Sequence, residues 1–315
     1  MGSRVIDALN HQMNKENFKK KFIEFHDKNY KLLLLIPLIM ILGSFIYLGS
    51  FYSQHHDFFY KDISLTGGTS VTINDGSINS ENLKNAISDK LDDVNIRQIS
   101  DLATQKQIAV IVETRSEQEQ TKKVLENYLG YSLNEINSSF EFTGSSLSSS
   151  FYNQLLIALL VAFILMALVI FIQFKTFVPS MAVILSAFAD ILMPLVVVDM
   201  LGIKISSAGI VAFLMLIGYS VDTDILLTNK VLRREGKSLN RKIIESFKTG
   251  ITMTLTAIAS VVAALLIAGP YSSVLYQIFL IMMFGLIFDI FNTWLTNVSI
   301  IKWYVLHLQK KKNEN

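Results

Sequence analysis

The chain has 315 residues, 51% of them hydrophobic, with a formal net charge of +2 and a mean hydropathy of +0.42. So apolar a composition excludes an ordinary soluble domain and points to a polytopic membrane protein, in which the placement of charge matters more than its sum. There is no cysteine, which excludes disulfides, thiolate metal sites and cysteine nucleophiles.

Residues 1–31 are polar and lysine-rich, with no apolar core or cleavage site of a signal peptide. They are expected to be a cytoplasmic tail before a retained first span. A span needs about 20 apolar residues. Six segments qualify: 32–51, 155–174, 178–200, 205–227, 250–268 and 274–301. Orientation follows from lysine and arginine in the short loops. Lys19, Lys20, Lys21, Lys28 and Lys31 precede span one, and Lys175 follows span two. Lys230, Arg233, Arg234, Lys237, Arg241, Lys242 and Lys248 follow span four, and Lys302, Lys310, Lys311 and Lys312 lie in the tail 302–315. The opposite loops hold only Lys204. Both termini are therefore expected in the cytoplasm, and the segment 52–150 outside it. The basic loop reads as an anchor at the lipid surface rather than a nucleic-acid site.

The segment 52–150 is the one non-membrane region large enough to fold. KDISLTGGTSVTI reads as a strand interrupted by Gly67-Gly68. SENLKNAISDKL reads as an amphipathic helix with Leu83, Ile87 and Leu91 in register. VNIRQISDL and QIAVIVE alternate as two strands around a DLATQK turn, and SEQEQTKKVLENYLG is a helix ended by Gly130. SSFEFTG is a final strand. The order β-α-β-β-α-β is the split βαβ, ferredoxin-like pattern. Ser145–Ser150 reads as a serine-rich connector into span two. The fold class is thus an α-helical membrane protein of six spans, with an α+β ferredoxin-like domain between spans one and two.

Polar residues inside the spans are the candidate site. Each aspartate at a span centre costs about 2.5–3.5 kcal/mol on insertion scales. Asp190, Asp222 and Asp289 are in that position, with Asp224 nearer the cytoplasmic end, and no lysine or arginine lies well inside a span. A carboxyl group out of water and without a cation beside it holds a proton more readily, the chemistry a proton relay needs. Asp222 and Asp224 are about 200° apart on a helix, so they face different ways. Gly218, Asp222 and Leu226 share one face; Ser220, Asp224 and Thr228 share the other. Asp224 is expected as a helix-end acid near the headgroups. Span six carries Gly285, Asp289, Asn292 and Thr296 on one stripe. Span five carries Thr249, Thr252, Thr256 and Ser260 on another. Such inward stripes serve either as glue between helices or as a polar path. Pro194, one turn after Asp190, marks an expected kink. His55 and His56 lack a third ligand, and no GK[ST] follows Gly67-Gly68, so neither a metal site nor a phosphate loop is expected.

Three motifs carry a family resemblance: LTGGT (65–69), EFTG (141–144) and GYSVDTDILLTNKVLRR (218–234). With the layout of one span, an outer domain and five further spans, the chain resembles the SecF family, the smaller subunit of the SecDF protein-export factor in the RND-type superfamily. FDIFNTW in span six resembles the archaeal branch. Bacterial members read G-Y-S-x-N-D-T, which puts their aspartate at Thr223. The SecD-type A-V-D-A-N puts it at Asp222, the residue carried over as proton-responsive acid, with Gly218, Tyr219, Ser220 and Asp224 as the packing motif around it. The family's strand-start aspartate aligns with Ser64, and its proline after EFTG with Ser145. The resemblance implies a cell-membrane subunit of preprotein translocation that works with SecD on the proton gradient. Its expected partners are a SecY-type channel, the translocating polypeptide and lipid, with neither cofactor nor enzymatic activity. Two readings stay open beside it: half of an RND-type exporter of small molecules or lipid, and a structural translocon subunit without proton coupling. An intramembrane aspartyl protease using Asp190 and Asp222 is set aside because its G-x-G-D motif is absent.

Overall fold

The computed structural model describes residues 29, 32–101, 104, 106–233, 238–269 and 272–314. Most of the basic tail 1–31, together with Arg234 and Lys237, lies outside the described residues. The elements in order are α1 (Leu35–His55), a short α2 (Ile63–Thr66), β1 (Gly68–Ile73), α3 (Ser80–Ile87), β2 (Asn95–Ser100), β3 (Gln107–Thr114), α4 (Gln118–Leu129) and β4 (Ser138–Thr143). There follow α5 (Ser145–Phe174), α6 (Phe177–Met200), α7 (Ser207–Leu232), α8 (Leu239–Ala268), α9 (Ser273–Phe291), a π-helical segment (Asn292–Asn297) and α10 (Val298–Glu314). Among the described residues, six helical stretches are long and apolar enough to cross a membrane, the sixth running from Val274 to Lys311 through the π-helical segment.

The small domain is an antiparallel four-stranded sheet in the order β2-β3-β1-β4. Its core is one apolar layer. Val71 and Ile73 of β1 and Val110 and Val112 of β3 pack against Leu83 and Ile87 of α3 and Leu125 of α4. Each such fully buried side chain contributes about 1.5–3 kcal/mol. Asn79 starts α3, its side chain accepting from the amides of Glu81 and Asn82 at 3.0 Å each, the usual remedy for the free amides of a first turn. The helix stops at Ile87, one turn earlier than the pattern suggests; Leu91 still reaches the core from the turns beyond it. Gly130 closes α4 with a left-handed φ of 75°, as its position predicts.

Two sequence expectations change. The stretch before the double glycine is not strand: Asp62 caps a single helical turn, Ile63–Thr66. Gly67 (φ 84°) and Gly68 (φ 144°) then redirect the chain into β1. Both need glycine. A Cβ on Gly67 would lie 2.6 Å from the Cα of Ser145, and one on Gly68 would lie 2.2 Å from the carbonyl oxygen of Thr114. The serine-rich stretch after β4 is likewise not a connector. It forms the first turns of the continuous 30-residue α5, because no glycine or proline interrupts it.

Within the helical part, α6 and α7 are the most enclosed spans, while few side chains of α5 and α8 are buried. The small domain is fastened to the loop between α6 and α7. The amide of Asp62 donates to the Ile205 carbonyl at 3.0 Å, and the Ile205 amide donates to the Tyr60 carbonyl at 2.7 Å. Asp199, at the end of α6, accepts from the Tyr60 amide at 2.8 Å and from the Tyr47 hydroxyl at 2.9 Å. Phe59 and Leu65 add an apolar plug against Val198, Ile205 and Ile210.

The backbone at the double glycine generates a stability prediction. Gly68→Ala adds a steric overlap to backbone strain of about 1–3 kcal/mol and lowers the thermal unfolding midpoint of the purified chain. Gly43→Ala, in α1 where a Cβ meets nothing within 4 Å, leaves the midpoint unchanged or raises it.

Candidate functional site

Three carboxylates meet inside the bundle from three different helices. Asp190 of α6, Asp289 of α9 and Asp224 of α7 are 1%, 2% and 0% exposed. Asp190 and Asp289 bond adjacent residues, Asn292 and Thr293, and Asp224 bonds Asn297 of the same segment. Placing such groups out of water is costly unless hydrogen bonds replace the lost hydration.

The bonds come from neutral donors. Asp190 accepts from the Asn292 amide at 2.6 Å through Oδ1 and from the Ser220 hydroxyl through Oδ2. Asp289 Oδ1 accepts from the Thr223 hydroxyl at 3.0 Å and from the Thr293 hydroxyl at 3.2 Å. Its Oδ2 accepts from Thr254 of α8 at 3.3 Å. Asp224 Oδ1 accepts from the Asn297 amide at 2.7 Å, whereas its Oδ2 has no partner. Each of the three acids thus takes a donor from the six-residue π-helical segment: Asn292, Thr293 and Asn297. An ordinary helix shows one face every 3.6 residues. A π turn widens the spacing, which lets Asn292 and Asn297 address α6 and α7 from one continuous span.

Sequence features elsewhere allow the helices this close. A Cβ on Gly285 of α9 would lie 2.3 Å from the Leu216 side chain of α7. One on Gly250 of α8 would lie 2.6 Å from Trp294 in the π-helical segment. Pro194 sits inside α6, and its missing N–H leaves the carbonyl of Asp190 itself without a helical partner.

The expected residues divide. Asp190, Asp289, Ser220 and Asn292 come together as described. Asp222 does not join them: it is exposed, as is Gly218 one turn before it. The two faces of α7 are separate, as helix phase requires, but the Ser220–Asp224–Thr228 face turns inward. Nor is Asp224 at the end of its helix: it is fully buried. α7 continues to Leu232, about 12 Å past Asp224. Tyr219 sits at the boundary, its hydroxyl donating to the Met253 carbonyl of α8 at 3.1 Å. The stripe of Thr252, Thr256 and Ser260 faces outward rather than inward. Each hydroxyl bonds the carbonyl one turn back on α8, at 2.8, 2.7 and 3.0 Å. Self-satisfied hydroxyls can face an apolar surround at little cost, so their spacing alone could not assign the buried face. Gly250 and Thr254 occupy that face instead. Thr254, Thr293 and Asn297 carry no signal of their own in the sequence, because a single threonine or asparagine in a span is common; the five-residue spacing of Asn292 to Asn297 matches the i→i+5 hydrogen bond of a π-helix.

The donor set predicts different costs for two substitutions in the purified chain. Asn297→Ala takes from Asp224 its short amide donor and lowers stability by about 1–3 kcal/mol. Asp222→Asn, on the exposed face, changes it by less than about 0.5 kcal/mol. Thermal unfolding in detergent measures both.

Comparison with known proteins fits this architecture. A sequence family described as protein export membrane protein SecD/SecF, C-terminal, matches residues 121–307. The chain is 36% identical over 290 residues to the protein-export membrane protein SecF of Methanocaldococcus jannaschii, covering 90% of this chain and 99% of that one. It is 32% identical to SecF of Haloquadratum walsbyi, covering 88% and 92% of the two chains, and 30% identical to SecF of Pyrococcus furiosus, covering 88% and 89%. In fold it is similar to SecDF of Thermus thermophilus, described as a translocon-associated membrane protein. The TM-score is 0.69 at 18% identity, over 88% of this chain and 38% of that one. The relatives include archaeal SecF proteins, in line with the FDIFNTW motif. The chain is a multi-pass membrane protein and belongs to the SecD/SecF family of protein-export membrane proteins.

Proposed function

We propose that this chain is the SecF-type partner of a SecD subunit, and that it assists export of polypeptides through a SecY-type channel by using the proton gradient. The observation that carries the reading is the set of three carboxylates from three helices, buried in one bundle and bonded to neutral donors. Taking up a proton turns a carboxylate from an acceptor into a donor. At Asp190 that change would act on Ser220 of α7 and on Asn292 of the sixth span together. At Asp289 it would act on Thr223, Thr254 and Thr293, on three helices. Protonation here therefore alters how spans three to six pack. The energy is adequate, since one charge crossing 100 mV is worth about 2.3 kcal/mol.

The exposed face of α7 gives Asp222 its place in this reading. A carboxylate facing lipid is costly, whereas one facing the paired six-span half of an RND-type assembly can join a polar seam. Asp222, beside Gly218 where a Cβ would meet nothing, is suited to that seam. In the same reading the sheet of strands β1–β4 with α3 and α4 is a ferredoxin-like extracytoplasmic domain, and both termini are cytoplasmic. The excess of lysine and arginine in the loop after α7, together with Lys310 and Lys311, supports this orientation.

Export kinetics test the assignment. Asp289→Asn and Asp222→Asn, each expressed at normal levels together with SecD, are expected to slow secretion several-fold and to weaken its dependence on the proton gradient. Unchanged export in both variants removes the proton role and leaves a structural subunit.

A further inference from the structure

Outside the bundle, the join between sheet and membrane part holds a charge arrangement that the reading above does not use. Two buried carboxylates share one guanidinium. Arg97 of β2 places the same nitrogen, Nη2, 2.8 Å from Glu113 Oε2 and 3.2 Å from Asp62 Oδ2. Glu113 is 7% exposed and Asp62 5%. Asp62 is also the hinge of the docking contact. Its Oδ1 caps α2 at the Ile63 amide, 2.5 Å away, and its own amide bonds the Ile205 carbonyl of the α6–α7 loop.

We propose that Asp62, Arg97 and Glu113 form a proton-responsive clasp that fastens the sheet to the α6–α7 loop and tightens when Glu113 takes up a proton. With all three groups ionised the trio carries one excess negative charge in a site largely shut from water. A single proton on Glu113 removes it and leaves Arg97 to Asp62. The surroundings of Glu113 favour that step. Burial, and next the charge of Asp62, push its carboxyl above the ordinary glutamate range; Arg97, the Asn95 amide and Lys204 pull the other way. Asn95 Nδ2 donates to the same Oε2 at 2.9 Å. Lys204, from the loop, is itself paired with Asp93, which also holds Arg115 at 3.1 Å. Ser70, the cross-strand neighbour on β1, is neutral, and Glu141 one strand further on is exposed. A cleft of about 190 Å3 lined by Arg97, Gln98, Ile99, Ile111, Gly269, Ser272 and Tyr276 opens beside the arginine of the trio.

The sign is fixed. A carboxyl raised in the folded state contributes stability as the pH falls through its folded value, and that stability is lost as the pH rises above it. The gain falls on the docking contact, and the contact lies beside the start of α7. Ser64 Oγ accepts from the Ser207 amide at 3.0 Å, and Ser206 caps the helix at the Gly209 amide, 3.3 Å away. The clasp does not depend on the proton role of the buried aspartates.

Hydrogen exchange on the full chain in lipid nanodiscs tests it, reading the amides of Asp62, Ile205 and Ser207 and correcting for intrinsic rates. In the wild-type chain their protection is expected to rise several-fold as the pH is lowered from about 8 to about 5. Glu113→Gln is expected to give high protection without pH dependence. Asn95→Ala, which removes a donor to the charged form, is expected to move the transition to higher pH. Protection at Val110 and Val112 in the sheet core verifies that each variant is folded. Wild-type protection that falls on acidification, Glu113→Gln with the wild-type pH dependence, or a downward shift in Asn95→Ala would each overturn the clasp.

Discussion

A carboxylate can stay inside an apolar bundle only if something replaces the water it gave up. In this chain the replacement is supplied largely by one irregular stretch, Asn292–Asn297, which gives a donor to each of three acids on different helices. Much of the helical packing follows from that requirement. α6 and α7 are central because they carry Asp190, Ser220, Thr223 and Asp224. α8 and α9 approach as closely as Gly250 and Gly285 allow, and Trp294 fills the space beside the π-helical segment. A regular helix in place of the π turn would turn Asn297 off the Asp224 side and leave that acid with neither oxygen satisfied.

What could be read in advance follows from how local each signal is. Apolar length marked the six spans, because a bilayer sets a minimum for each independently of the others. The strands and helices of the small domain were legible from period-2 and period-3.6 patterns, with Gly130 as punctuation. The bounds were less so. Loops are recognised by composition, and Ser145–Ser150 has a loop-like composition yet continues a helix. The stretch before Gly67 has an extended pattern, yet Asp62 caps it as a helical turn.

Rotation of the helices about their own axes was the part the sequence could not give. In a soluble protein the polar face points out. In a membrane both faces of α7 and α8 can carry polar groups, one satisfied by neighbouring helices and the other by its own carbonyls or a partner. Asp222 and Asp224 are therefore symmetric choices on paper. Only the Asn297 donor on the π-helical segment decides that Asp224 turns inward. Ser220 and Thr223 then follow, since both lie within the same inward arc of the helix.

The junction at Gly144 has a mechanical consequence. β4 ends at Thr143 and α5 begins at Ser145, while the tight approach of Gly67 to the Ser145 backbone leaves that corner no slack. A 30-residue helix at 1.5 Å per residue is about 45 Å long. The sheet and α5 are thus a rigid crank. A turn of the sheet by about 5° in the plane of the helix would sweep the far end of α5 by about 4 Å, given that length, toward or away from Phe177 and the start of α6. A compliant linker at residues 144–150 would have absorbed such a turn; a helix that starts on the last strand carries it through.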